Sequence, residues 1–111
     1  MAYDEDLANR IREQLADQDG RTEKAMFGGL AFLLGGNMAV GISNRDELMV
    51  RVGPDAGVEA TTRPHARAAV MGSRPMKGWV FVEPAGISTD AALGEWVARG
   101  VAYARSLPPK T

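Results

Sequence analysis

RTEKAMFGGLAFLLGGNMAVGISNRDELMVRV, residues 21–52, is the stretch that decides the fold. Short apolar runs alternate there with glycine, asparagine and aspartate, the punctuation of an antiparallel meander. The runs predict strands over Thr22–Phe27, Leu30–Leu34, Met38–Ser43 and Glu47–Val52. Gly35, Gly36 and Asn37 form a turn able to accept positive φ, and Asn44, Arg45 and Asp46 make a second tight connection. In the last run Leu48, Val50 and Val52 alternate with Met49 and Arg51. A period of two sends the first set to the core and leaves the second for solvent or a partner.

Outward from the meander, Leu7, Ala8, Ile11 and Leu15 recur at helical spacing within Asp4–Gln18, with acids in the first turn and Gly20 past the end. On the other side, Gly53–Val70 predicts one short helix opened by Pro54, then a loop, because Thr61, Thr62 and Pro64 interrupt it. Met71–Gly78 is broken by Gly72, Pro75 and Gly78, whereas Trp79–Val82 reads as a further strand ended by Pro84 and Gly86. Ser88 is the N-cap candidate of a last helix that carries Leu93, Trp96, Val97, Val101 and Ala104 to Ser106. The tail 107–111 contains Pro108 and Pro109, cannot continue that helix and is expected to be flexible. This order predicts an α+β, two-layer domain: an antiparallel sheet of about five strands covered on one face by N- and C-terminal helices and a short middle helix.

The 111 residues are one domain's worth, 1–111, and the 45% hydrophobic content is enough for a core without staples. Absent cysteine removes disulfides, thiolate ligands and a cysteine nucleophile, and one histidine, His65, removes a multi-histidine metal site. No metal or other cofactor is expected. The acidic start at Asp4, Glu5 and Asp6 does not resemble a signal peptide, and Gly28–Gly36 is too short to span a bilayer. A cytoplasmic protein without a membrane partner is the expectation.

Few residues suggest chemistry, and no catalytic residue is assigned. His65 lies beside Pro64 between Arg63 and Arg67 and reads as a solvated loop histidine, with Glu59 the nearest acid in sequence. The serines occupy no nucleophile elbow. Gly28–Gly29 and Gly35–Gly36 lack the lysine and hydroxyl of a phosphate loop and read as bends. Thirteen basic and fourteen acidic residues give a net charge of −1, against a dedicated nucleic-acid binder. Locally, however, Ala60–Val82 holds Arg63, Arg67, Arg74 and Lys77 without an acid, while Met1–Asp19 holds six acids and two arginines. The two regions can pair within the fold, between subunits or with separate partners. Of six methionines, Met26, Met38, Met49, Met71 and Met76 fall in or next to strands, either as core filling or as an adaptable apolar surface.

The segments AMFGGLAFLL (25–34), NMAVG (37–41), LMVRVGP (48–54), RPMKGWVFV (74–82) and WVARGVAYARSLP (96–108) resemble the N-terminal domain of the TfoX/Sxy competence regulators. The most specific elements are Met26, Phe27, Gly28 and Gly29, then Met76, Lys77, Gly78 and Trp79. The resemblance implies an α+β sandwich similar in outline to the type III secretion chaperone fold, and no known catalytic activity. It further implies regulators that promote competence gene expression with the cyclic-AMP receptor protein and carry a second, helical C-terminal domain, so the chain is expected to be a stand-alone N-terminal form. The family supplies no ligand-binding residues. Physically, the paired glycines permit a bend that side chains would obstruct, Trp79 is expected to anchor helices on the sheet, and Lys77 to pair a carboxylate of the first helix or a partner.

The expected function is therefore non-enzymatic regulation through binding of another protein. The basic residues Arg63, Arg67, Arg74 and Lys77, together with any exposed part of the meander, are the candidate surface. An enzyme or small-ligand binder is the rival and needs a pocket lined by His65, Arg51, Arg74 or Lys77. A weak nucleic-acid binder using the basic stretch comes third. An unpaired edge strand leaves room for a homodimer.

Overall fold

Asp4 opens the first helix, α1 (Glu5–Gln14), by accepting hydrogen bonds from the amides of Asp6 and Leu7 at 2.9 and 3.3 Å. Leu7, Ala8, Ile11 and Leu15 are buried, and the helix ends at Leu15, short of the predicted Gln18. Ala16 and Asp17 are exposed, so the buried stripe that would hold a further turn has run out. The computed structural model describes residues 3–26, 28–71 and 73–108.

The meander then follows as β1 (Arg21–Met26), β2 (Gly29–Leu34), β3 (Asn37–Ile42) and β4 (Leu48–Arg51). Gly35 and Gly36 take φ of 58° and 84° in the β2–β3 hairpin, as their turn requires. After α2 (Gly57–Ala60) come β5 (Ala66–Met71) and β6 (Arg74–Val82), a 3-10 turn over Pro84–Ile87, and α3 (Asp90–Ser106). The strands form one antiparallel sheet in the order β1-β2-β3-β4-β6-β5.

The α+β class is as expected, but three details differ. The sheet has six strands: β5 occupies the predicted loop, an alanine-rich segment of weak strand preference that is stabilised by pairing with β6, whose extra residues between Pro75 and Val80 bulge opposite Ala68–Val70. β6 begins at Arg74, five residues before the predicted strand, because the glycine at 78 accommodates a φ of 87° inside it. The Gly78 carbonyl accepts the amides of both Val52 and Gly53, at 2.8 and 3.0 Å. Finally, Thr89 rather than Ser88 caps α3, accepting from the Ala92 amide at 3.1 Å. Phe27, Gly72 and tail residues 109–111 lie outside the described residues. In the described part of the tail, the Pro108 carbonyl accepts from buried Asn37 at 2.9 Å. No helix among the described residues is long and apolar enough to cross a membrane.

The core lies on one face of the sheet. Leu30, Phe32, Val40, Ile42, Leu48, Val50, Val80 and Val82 meet Leu7, Ile11 and Leu15 of the first helical region and Leu93, Trp96 and Val97 of α3. Closest approach occurs at Gly100, where an added Cβ would collide with the Ala39 carbonyl and lie 2.8 Å from a Val40 methyl. Bidentate hydrogen bonds from Arg12 to Glu23, 2.7 and 2.8 Å, tie α1 to β1 and hold the Glu23 carboxyl below its ordinary range. Arg99 and, to a lesser degree, Arg63 lower Glu59 in the same way, joining α3 to α2.

Two outcomes follow from this packing. Gly100→Val should cost about 1–3 kcal/mol by prising α3 off β3, read as a lower melting temperature, while Ala102→Val on the exposed side of α3 should change little. Because folding lowers the Glu23 and Glu59 pKa values, the unfolded chain binds more protons in the acid range. Stability should therefore fall as pH drops below the ordinary glutamate range and through the lowered folded values. Urea midpoints across that range should decline less steeply for Glu23→Gln, Glu59→Gln; an unchanged slope would contradict the assignment.

Candidate functional site

Strand register determines what the other face carries. One row crosses all six strands: Lys24, Ala31, Gly41, Met49, Phe81 and Arg67 stand side by side from β1 to β5. Small residues on β2 and β3 leave a depression in this row, and longer side chains surround it. The result is a hollow of about 680 Å³, walled by Met26, Met38, Met49, Met76, Trp79 and Phe81.

Two bulges shape the hollow. On β3, Val40 lies opposite Phe32 but Met38 lies opposite Leu33, so Ala39 is the extra residue. Ala39 packs toward Ala104 of α3, and Met38 is returned to the same side as Gly41. The Met38 methyl sits 2.6 Å from where a Cβ on Gly41 would be, so glycine there makes room for the thioether chain. Between β5 and β6 the pairing passes from Ala68 opposite Val80 to Val70 opposite Pro75, so the extra residues lie on β6; on β5, Ala69 is buried while Ala68 and Val70 line the hollow.

One end of the hollow is polar. Glu47, only 8% exposed, accepts both terminal nitrogens of Arg67, one at 2.7 Å, and the Arg67 guanidinium lies 5.2 Å from the Phe81 ring centre. The bond to Glu47 raises the Arg67 pKa further above its already high ordinary value. Beside this pair, Ser43, Asn44 and Arg45 of the β3–β4 turn complete the rim. The Ser43 hydroxyl accepts the amides of Arg45 and Glu47, each at 3.2 Å, and Asp46 takes a φ of 60° to close the turn.

Trp79 is not the helix anchor that its sequence context suggests. It pairs with Arg51 across β4, on the side opposite Val80 and Val82, and therefore lines the hollow. Arg51 lies between the Trp79 and Tyr103 rings, 5.6 and 5.3 Å from their centres. Trp96 is the tryptophan in the core. The glycine pair does provide a bend: Gly28 has a φ of 75°, and a Cβ on Gly29 would collide with the Ile42 carbonyl.

The four basic candidates differ in their partners. Arg63 bonds Glu59 at 3.0 Å and Arg67 is held by Glu47, whereas Arg74 and Lys77 are exposed with no acid within ion-pair reach among the described residues. The first helix directs its ion pairs elsewhere, through Arg12–Glu23 and Arg10–Asp90. His65 has a φ of 66°, is exposed, and faces Glu83 at 3.6 Å rather than Glu59. It borders a second depression of about 560 Å³ with Arg63, Trp96 and Arg99. Among the described residues no group of three His, Cys, Asp or Glu side chains could hold a metal ion. Sequence reasoning missed Arg45 and Glu47. The partner of Glu47 is twenty residues away in the chain, and no local pattern marks such a pair.

The family model described as the TfoX N-terminal domain matches residues 13–104. No curated protein and no solved structure matches the chain.

Removing Arg67 strands a buried carboxylate, so Arg67→Met should cost about 1–3 kcal/mol in urea unfolding. Arg74→Met, at an exposed position, should stay within about 0.5 kcal/mol of the parent. Equal effects would show that Glu47 does not depend on Arg67.

Proposed function

Because the chain belongs to the TfoX N-terminal domain family, we propose that it is a non-enzymatic regulatory module that binds another protein through the uncovered face of its sheet. The observation that carries this reading is the hollow itself, where four methionines, Trp79 and Phe81 meet on a face that the helices leave open. Unbranched thioether chains repack at little cost, so such a surface adapts to a partner, and an apolar depression with a polar rim is a common docking surface. The regulatory setting comes from the family. Nucleic acid is the weaker partner: the net charge is −1, and the acids beside Arg63 and Arg67 already neutralise half of the basic run.

Affinity capture from the native cells, with folding of each variant checked first, separates the surfaces. A protein retained by the parent domain and by Arg63→Glu, Lys77→Glu but lost with Met49→Glu would support docking on the sheet. Loss with the charge reversals and retention by Met49→Glu would transfer the interface to the basic residues.

A further inference from the structure

The hollow is graded along the strands. At the β3–β4 turn it is lined by Ser43, Asn44, Arg45 and the Arg67–Glu47 pair, whereas its far end is closed by Met38, Met76 and Trp79. From Met38 to Ile42, β3 with its bulge keeps pace with the three steps from Leu33 to Leu30 on β2, about 10 Å at roughly 3.4 Å each, which matches the span of a medium-length acyl chain. The volume of about 680 Å³ also falls in the range of small-molecule sites, roughly 300–1,000 Å³.

The polar end selects for negative charge. Among the described residues Glu47 is the only acid in the lining, and both its oxygens are occupied by Arg67. Arg45 has no carboxylate within ion-pair reach among the described residues, so one uncompensated cation remains at the rim. Ser43 Oγ accepts two backbone amides and retains its own proton to donate, and the Asn44 amide is exposed beside it.

We propose that the hollow binds a small anionic amphiphile, its apolar body against Met38, Met49, Trp79 and Phe81 and its carboxylate or phosphate head at Arg45, Asn44 and Ser43. This goes beyond protein docking and does not depend on it: a ligand site can exist whether or not a protein docks on this face.

Titration calorimetry of the full chain with decanoate, decyl phosphate and decyltrimethylammonium, each below its micellar concentration, tests the proposal. One molecule of either anion should bind per chain, and at least tenfold more tightly than the cation. Binding of one anion alone would identify the head group and still support the site. Arg45→Glu should weaken the anion at least tenfold. Ala68→Phe, which fills the hollow from an exposed position, should abolish binding, and Val58→Phe, at an exposed site outside the lining, should bind as the parent does. Absence of saturable anion binding, equal binding of all three probes, or affinity unchanged in both Arg45→Glu and Ala68→Phe would overturn the assignment. None of these results alters protein capture by the parent domain, so failure of the ligand and failure of docking are read separately.

Discussion

Helix α3 lies on β3 with no side chain between them at Gly100, and this close approach organises the rest of the molecule. It brings Leu93, Trp96 and Val97 down onto Val40, Val50 and Val80, and it assigns one face of the sheet to the core. Burying these side chains is the main driving force for the fold. The same event determines what remains outside, since Met49, Trp79 and Phe81 alternate with Val50 and Val80 and turn away from the core, while Arg51 reaches the Tyr103 ring of α3.

That second face is a product of register rather than of composition. A one-residue shift on β3, caused by the bulge at Ala39, places Met38 beside Gly41 instead of in the core. Small residues at 31 and 41 then keep the centre of the sheet low while methionines rise around it. Arg67, stacked on Phe81 and bonded twice to Glu47, closes one side and makes that end polar. A hollow formed in this way has rigid backbone beneath flexible side chains, a combination that suits recognition.

Much of this was legible in the sequence. Glycine punctuation located four strands of the meander, and the alternation at Leu48–Val52 correctly separated Met49 and Arg51 from the core. Other features needed tertiary context. The β5 segment reads as loop because alanine has little strand preference, and its pairing with β6 supplies what the local sequence does not. Trp79–Val82 is apolar throughout, so its own pattern cannot say which face is buried; only pairing of Val80 with Val50 does so and turns Trp79 outward. Likewise, Arg63, Arg67, Arg74 and Lys77 form a run in sequence, but Glu47 and Glu59 approach it from distant or folded-back segments. The methionines could be core or surface from spacing alone, and the β3 bulge decided the case for Met38.

The proposed function makes the uncovered face of the sheet the working surface. Its most direct test is a pair of spectra, methionine methyl and backbone amide, of the chain labelled at both, recorded alone and in an extract of its native cells. Selective broadening or shifting of the Met26, Met38, Met49 and Met76 methyl signals, with the helices undisturbed, is the predicted result. Unperturbed methionine signals accompanied by changes at the Arg63 to Lys77 segment or along α3 would contradict it.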